Sequence, residues 1–88
     1  MEIILLPQAE NDLNYWKEKG ETHILKRIRV LLEDIMQHPF SGLGKPEALK
    51  GTNGKWSRRI NNEHRLVYLV SSGKVYVYVF SLRYHYSK

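Results

Sequence analysis

Residues 56–68, WSRRINNEHRLVY, restrict the fold more than any other stretch, because three arginines and a histidine are set into what otherwise has the pattern of two strands and a turn. Side chains on a strand alternate between faces. Trp56, Arg58 and Ile60 are therefore expected on one face of the first strand, with Ser57, Arg59 and Asn61 on the other. Asn61-Asn62 supplies turn chemistry, since asparagine tolerates positive φ and its side chain hydrogen-bonds nearby backbone. On the second strand His64, Leu66, Tyr68 and Val70 share one face and Arg65, Val67 and Leu69 the other. An apolar central strand with an arginine at its entrance reads as a site more than as a scaffold.

The rest of the chain supplies what such a sheet needs. The run EIILL at 2–6 fits a short buried strand, and Pro7 presets the φ of a first helical turn. A helix over 7–19 puts Ala9, Leu13 and Trp16 on one face, with Glu10, Asp12, Asn14 and Lys17 largely elsewhere. Gly20 ends it. A second helix over 22–37 carries Ile24, Ile28, Leu31 and Ile35 on one stripe, widened by Leu25 and Leu32, and His38-Pro39 stops it. Residues 40–55 are punctuated by Gly42, Gly44, Pro46, Gly51 and Gly54 and read as a loop holding one short strand near 47–50. Three strands follow, over 55–61, 64–71 and 74–85, the last two joined as a hairpin at Ser71-Ser72-Gly73. In the final strand Val75, Val77 and Val79 are expected on one side and Tyr76, Tyr78, Phe80 and Leu82 on the other. Tyr76, Tyr78 and Phe80 are expected in the core or against the helices more than as a base-stacking platform. The fold class is α+β: an N-terminal strand, a helical hairpin, then an antiparallel sheet of three to four strands, in one domain spanning 1–88.

Eighty-eight residues, 42% hydrophobic and 26% charged, describe one globular domain with a modest core. No stretch reaches membrane-spanning length, and the N-terminus lacks the basic lead-in of a secretory signal. The absence of cysteine suits a cytoplasmic location. Charge is uneven: residues 1–44 hold five Lys/Arg against seven Asp/Glu, whereas 45–88 hold nine against two. The second half thus has the footprint of a polyanion binder, with nucleic acid the leading partner; the alternative is a solvated basic sheet that favours solubility.

Cleaving RNA without a metal requires a base for the ribose 2′-OH, cations for the phosphorane-like transition state and an acid for the departing 5′-oxygen. Glu47, in a Gly/Pro-bounded loop between Lys45 and Lys50, is suited to be the base, although a lone loop glutamate is also an ordinary surface charge. Arg58, Arg59 and Arg65 can make forked contacts to phosphate oxygens. His85, in the terminal RYHY, can serve as acid because an imidazole pKa of about 6.5 leaves both protonation states accessible; a solvated edge residue is the alternative. Tyr84 or Tyr86 can stack on a base or orient a phosphate. His64, beside Glu63 after the turn, reads as structural or solvent-exposed, and His23 and His38 as structural residues at helix ends. Four scattered histidines without cysteine form no metal motif, and the glycines match neither a P-loop nor a dinucleotide fingerprint, so no cofactor is expected.

Taken together, HPFSGLGKPEALKG, WSRRINNEHRLVY and the terminal RYHY, in this order and spacing, closely resemble the YoeB (Txe) toxins of the RelE superfamily. The resemblance runs over nearly the whole chain. It implies a microbial-ribonuclease-like α+β fold, ribosome-dependent endoribonuclease activity on mRNA, and inhibition by a YefM-type antitoxin, with homodimerisation left open. It further implies Glu47 as general base, Arg65 as the transition-state arginine, Arg59 as a supporting phosphate contact, His85 as acid and Tyr86 as an aid to substrate placement or proton transfer. Lys50 and Arg58 become ribosomal or mRNA backbone contacts. Family members commonly stop at the tyrosine matching Tyr86, whereas this chain continues with Ser87 and Lys88. Two other readings share the charge pattern: a non-catalytic gyrase-binding toxin of the ParE type, which would need neither Glu47 nor His85, and a generic RNA-binding module.

Overall fold

A computed structural model describes residues 1–80. The elements run β1 (Glu2–Leu5), α1 (Pro7–Glu18), α2 (Thr22–Gln37), β2 (Glu47–Ala48), β3 (Trp56–Arg59), β4 (Arg65–Ser71) and β5 (Lys74–Val79). They form two helices on one five-stranded sheet in the order β1-β5-β4-β3-β2. Strands β2 to β5 pair antiparallel, as expected, and β1 joins the far edge parallel to β5, from Glu2 opposite Lys74 to Leu5 opposite Val77. No helix among the described residues is long and apolar enough to cross a membrane.

Local chemistry accounts for the turns. Ser72 and Gly73 both have positive φ, the two-residue hairpin geometry that matches strand twist, and the pair Ser71–Lys74 closes it. Asn61 uses its side chain instead of positive φ: Oδ1 accepts the backbone N–H groups of Glu63 and His64 at 2.9 and 2.8 Å. Between the helices Gly20 adopts φ 68°, and the N–H of Glu21 returns to the Trp16 carbonyl.

The helices lay their apolar stripes on one face of the sheet. Ala9, Trp16, Ile28, Leu31 and Ile35 meet Ile60, Leu66, Tyr68, Val75, Val77 and Phe80, all at most 5% exposed. Burying each large side chain contributes roughly 1.5–3 kcal/mol. Phe80 lies in the core as expected, but on the side of Val75 and Val77, and the places of Tyr76, Tyr78 and Asp12 are corrected. Phe80 reaches the core because Val67 faces Val79 while Tyr68 faces Val77, which leaves Tyr78 as an extra residue in a β-bulge and inverts the alternation beyond it. Tyr76 and Tyr78, which alternate with the core residues Val75 and Val77, lie on the face away from the helices, where the Tyr78 ring takes Lys55 Nζ at 4.1 Å from its centroid. Asp12, placed off the core by its polarity, is buried: Oδ2 accepts the Phe80 N–H and Oδ1 the Gln8 amide, both at 2.9 Å, so α1 holds the end of β5. His64 is buried too, edge-on to Trp16 with centroids 5.0 Å apart.

Residues 38–44, without regular structure, are fixed by Arg58, whose side chain is fully buried. Its five N–H donors all find acceptors. Nη1 donates to Asp34 Oδ2 at 2.5 Å and to the Leu43 carbonyl at 3.1 Å, and Nη2 to the carbonyls of His38 and Ser41, the latter at 2.8 Å. Nε donates to the Tyr68 hydroxyl at 3.2 Å, which in turn donates to the Pro39 carbonyl at 2.6 Å. Burial pushes the Tyr68 phenol up, so it keeps the proton it donates, although Arg58 opposes that shift. Asp34 Oδ2 also accepts the Leu43 N–H at 3.0 Å, and Gly42, with φ 109°, leaves no room for a Cβ, which would stand 2.2 Å from that oxygen.

Arg58→Ala is expected to cost about 3 kcal/mol, the low end for breaking a buried pair because Asp34 is partly exposed, lowering the melting temperature by more than about 10 °C. Arg58→Lys should lose about half as much, since an ammonium has three donors for five acceptors; a lysine variant that melts with the wild type would contradict the clamp. The Leu43 N–H, against partial burial and with help from Arg58, holds the Asp34 carboxyl below its ordinary value of 3.8. A depressed folded value stabilises above the unfolded pKa and is lost as pH falls through the folded one. In urea titrations the advantage of wild type over Asp34→Asn should therefore be constant from pH 7 to about 5 and shrink below about pH 4.

Candidate active site on the open face of the sheet

The clamp sets the course of the chain into β2. From Gly44, whose carbonyl accepts the Arg59 N–H at 2.6 Å, the backbone runs along the edge of β3. Gly44 has φ 79°, and a Cβ there would lie 2.9 Å from Leu31 and 3.2 Å from the Arg59 carbonyl, so the loop can approach β3 only as glycine. Glu47 then pairs with Ser57, and Ser57 pairs with Val67 on its other side. Directly opposed residues share a face. Glu47, Ser57, Arg59, Arg65 and Val67 therefore occupy the face that the helices leave open.

On that face Arg65 Nη1 donates to Ser57 Oγ at 2.7 Å, and Nη2 lies 3.4 Å from Glu47 Oε1. The glutamate side chain is 62% exposed and the arginine 23%, so the ion pair borders solvent and contributes little to stability. Arg59 stands directly opposite Arg65 in the register and is exposed. Like charges facing each other across a ladder are unfavourable. Among the described residues Arg59 has no carboxylate partner, and the pair of guanidiniums thus concentrates positive potential beside one carboxylate. Such an arrangement can bind a phosphate and offer it an adjacent proton acceptor.

The structure brings Glu47, Arg59 and Arg65 together. Arg58 is corrected: although it neighbours Arg59 in sequence, its side chain points to the helix face, is 0% exposed and spends every donor inside the fold, so it is no contact for ribosome or mRNA. Lys50 is exposed in the turn after β2, which Thr52 braces by donating to the Leu49 carbonyl at 2.6 Å. Tyr84, His85 and Tyr86 lie outside the described residues. Sequence reasoning missed Ser57 and Asp34. Ser57 shares a strand face with Arg59, which is a usable signal; nothing local marks Asp34. Among the described residues no three His, Asp or Glu side chains gather where they would hold a metal ion.

Residues 6–86 match the family model described as "YoeB-like toxin of bacterial type II toxin-antitoxin system". The chain is similar to Toxin YoeB of Synechocystis, 45% identical with 83% of this chain and 84% of that protein covered, and to Toxin YoeB of Escherichia coli K12, 42% identical with 98% and 100% covered. Among solved structures, the YoeB/ParE toxin from Agrobacterium tumefaciens superposes with a TM-score of 0.87 at 38% identity, covering 96% of this chain and 100% of that one. A YoeB dimer from Staphylococcus aureus gives 0.86, and a YoeB–YefM complex from the same organism 0.84, each 39% identical with 98% of both chains covered. With identity above 40% over nearly its full length, and with the same arrangement of strands and helices, this chain belongs to the family of YoeB-like toxins of bacterial type II toxin-antitoxin systems.

Proposed function

We propose that the protein is a ribosome-dependent mRNA endoribonuclease that inhibits translation in the cytoplasm and is held inactive by a YefM-type antitoxin. The observation that carries this reading is the open-face cluster of Glu47 and Arg65, 3.4 Å apart, with Arg59 facing Arg65 across the β3–β4 ladder. Glu47 takes the proton from a ribose 2′-OH, and the freed oxygen attacks the adjacent phosphorus. Arg65 and Arg59 neutralise the charge that builds on the phosphoryl oxygens. His85 gives a proton to the departing 5′-oxygen, with Tyr86 placing the scissile phosphate. The products are a 2′,3′-cyclic phosphate, which water can open to a 3′-phosphate, and a 5′-hydroxyl. Lys50 and Tyr84 contact the RNA or the ribosome. No cofactor takes part in these steps. The antitoxin-bound and dimeric states of the Staphylococcus aureus relatives support an antitoxin partner, and a homodimer of the free protein, here as well.

Added to translating ribosomes, the purified protein should produce mRNA ends of these two kinds. Glu47→Ala, Arg65→Ala and His85→Ala should each lower that cleavage by about 10²–10⁴-fold, the usual loss on removing a positioned acid, base or charge-stabilising group. The melting temperature should barely change for the first two, because both side chains border solvent. Rates within twofold of wild type in all three would defeat the assignment.

Naked message should be cleaved far more slowly than ribosome-bound message. Glu47 and Arg59 lie on an open sheet face that gives a single strand little to align against, so alignment has to come from the ribosome. Equal rates on both substrates would exclude this dependence.

A further inference from the structure

The geometry points to Ser57 as a positioning residue for Arg65: its buried hydroxyl accepts Nη1 at 2.7 Å and fixes the plane of the guanidinium that also meets Glu47. The inference rests on the endoribonuclease reading above and adds a residue that does not touch substrate.

Ser57 is 0% exposed at the centre of the open face, flanked by Glu47 on β2 and Val67 on β4. Arg65 is two residues before Val67, so the two side chains meet diagonally across the ladder, within reach of a long side chain. A valine or threonine is the commoner choice at an interior strand position of this kind. Serine instead leaves the space that the guanidinium occupies and supplies an acceptor beneath it. Glu47 cannot fix the arginine by itself, because its carboxylate is 62% exposed and its single contact is 3.4 Å long. Arg65 has no other acceptor among the described residues, so Ser57 is the rigid end of its support. One N–H group is thereby hydrogen-bonded and Nη2 faces the Glu47 carboxylate, while among the described residues the remaining donors have no acceptor and can take a phosphate. A charge-stabilising group helps only when it is already aimed at the transition state, and small displacements of such groups cost large factors in rate.

Replacing Ser57 with alanine removes one oxygen whose partner can turn to water, so the fold should survive with a melting temperature within a few degrees of wild type. With ribosome-bound mRNA, kcat should fall about ten- to a hundredfold, while KM stays within twofold. Independently, ¹⁵N relaxation of the Arg65 Nε–Hε group in the full-length protein should report an ordered side chain in wild type and a mobile one in Ser57→Ala. Ser57→Cys, nearly isosteric but a weak acceptor, should fall between the two in both measurements. An Arg65 side chain equally ordered in wild type and Ser57→Ala, or a kcat within twofold of wild type, would overturn the inference. If wild type fails to cleave ribosome-bound message, the endoribonuclease reading falls, and the relaxation comparison still decides whether Ser57 fixes Arg65.

Discussion

The fold depends on one buried guanidinium. Moving an ion from water into a protein interior costs several kcal/mol unless every donor is satisfied, and Arg58 meets that condition with acceptors from α2, the 38–44 loop and β4. The five acceptors come from three separate stretches of chain, three of them from the loop itself. A single side chain thereby sets the angle at which the loop leaves α2, and Tyr68 locks the same junction by donating to the Pro39 carbonyl. Two glycines take part for steric reasons, Gly42 against the Asp34 carboxylate and Gly44 against Leu31 and β3.

From that junction the path to the candidate site is short. Gly44 is bonded to Arg59, three residues later Glu47 begins the edge strand, and its partner Ser57 adjoins Arg58. Structural and chemical residues thus alternate along one strand: Arg58 looks into the fold while Ser57 and Arg59 look out of it. The pleat lets a residue that would compete for Glu47 on the open face do structural work on the other.

The two faces of the sheet divide the labour. One carries the apolar cluster under α1 and α2, with Asp12 and Arg58 as its polar fasteners. The other carries charge held in tension: two facing arginines, one exposed carboxylate and a serine that accepts a hydrogen bond from Arg65. The solvent-bordering ion pair in this second set adds little to stability, and an anion would relieve the repulsion between Arg59 and Arg65. That arrangement is the one on which the proposed function rests.

Much of this was legible in the sequence, for definite reasons. Both helices follow from a 3.6-residue apolar period bounded by Pro7, Gly20 and His38-Pro39, and both hairpin turns from Asn61 and Ser72-Gly73, because these are local properties of a few consecutive residues. Alternation correctly set Arg59 and Arg65 on faces opposite the core. What the sequence could not determine is whatever needs a partner distant along the chain. Alternation separates Arg58 from Arg59, but only the acceptors 10 to 24 positions away make burial of a guanidinium on the helix face possible. Val79 and Phe80 exchanged faces because one bulged residue inverts parity, which no strand pattern announces. Ser57 became part of the site only when antiparallel register set it between Glu47 and Val67, since register is a property of two strands and one strand's sequence does not contain it.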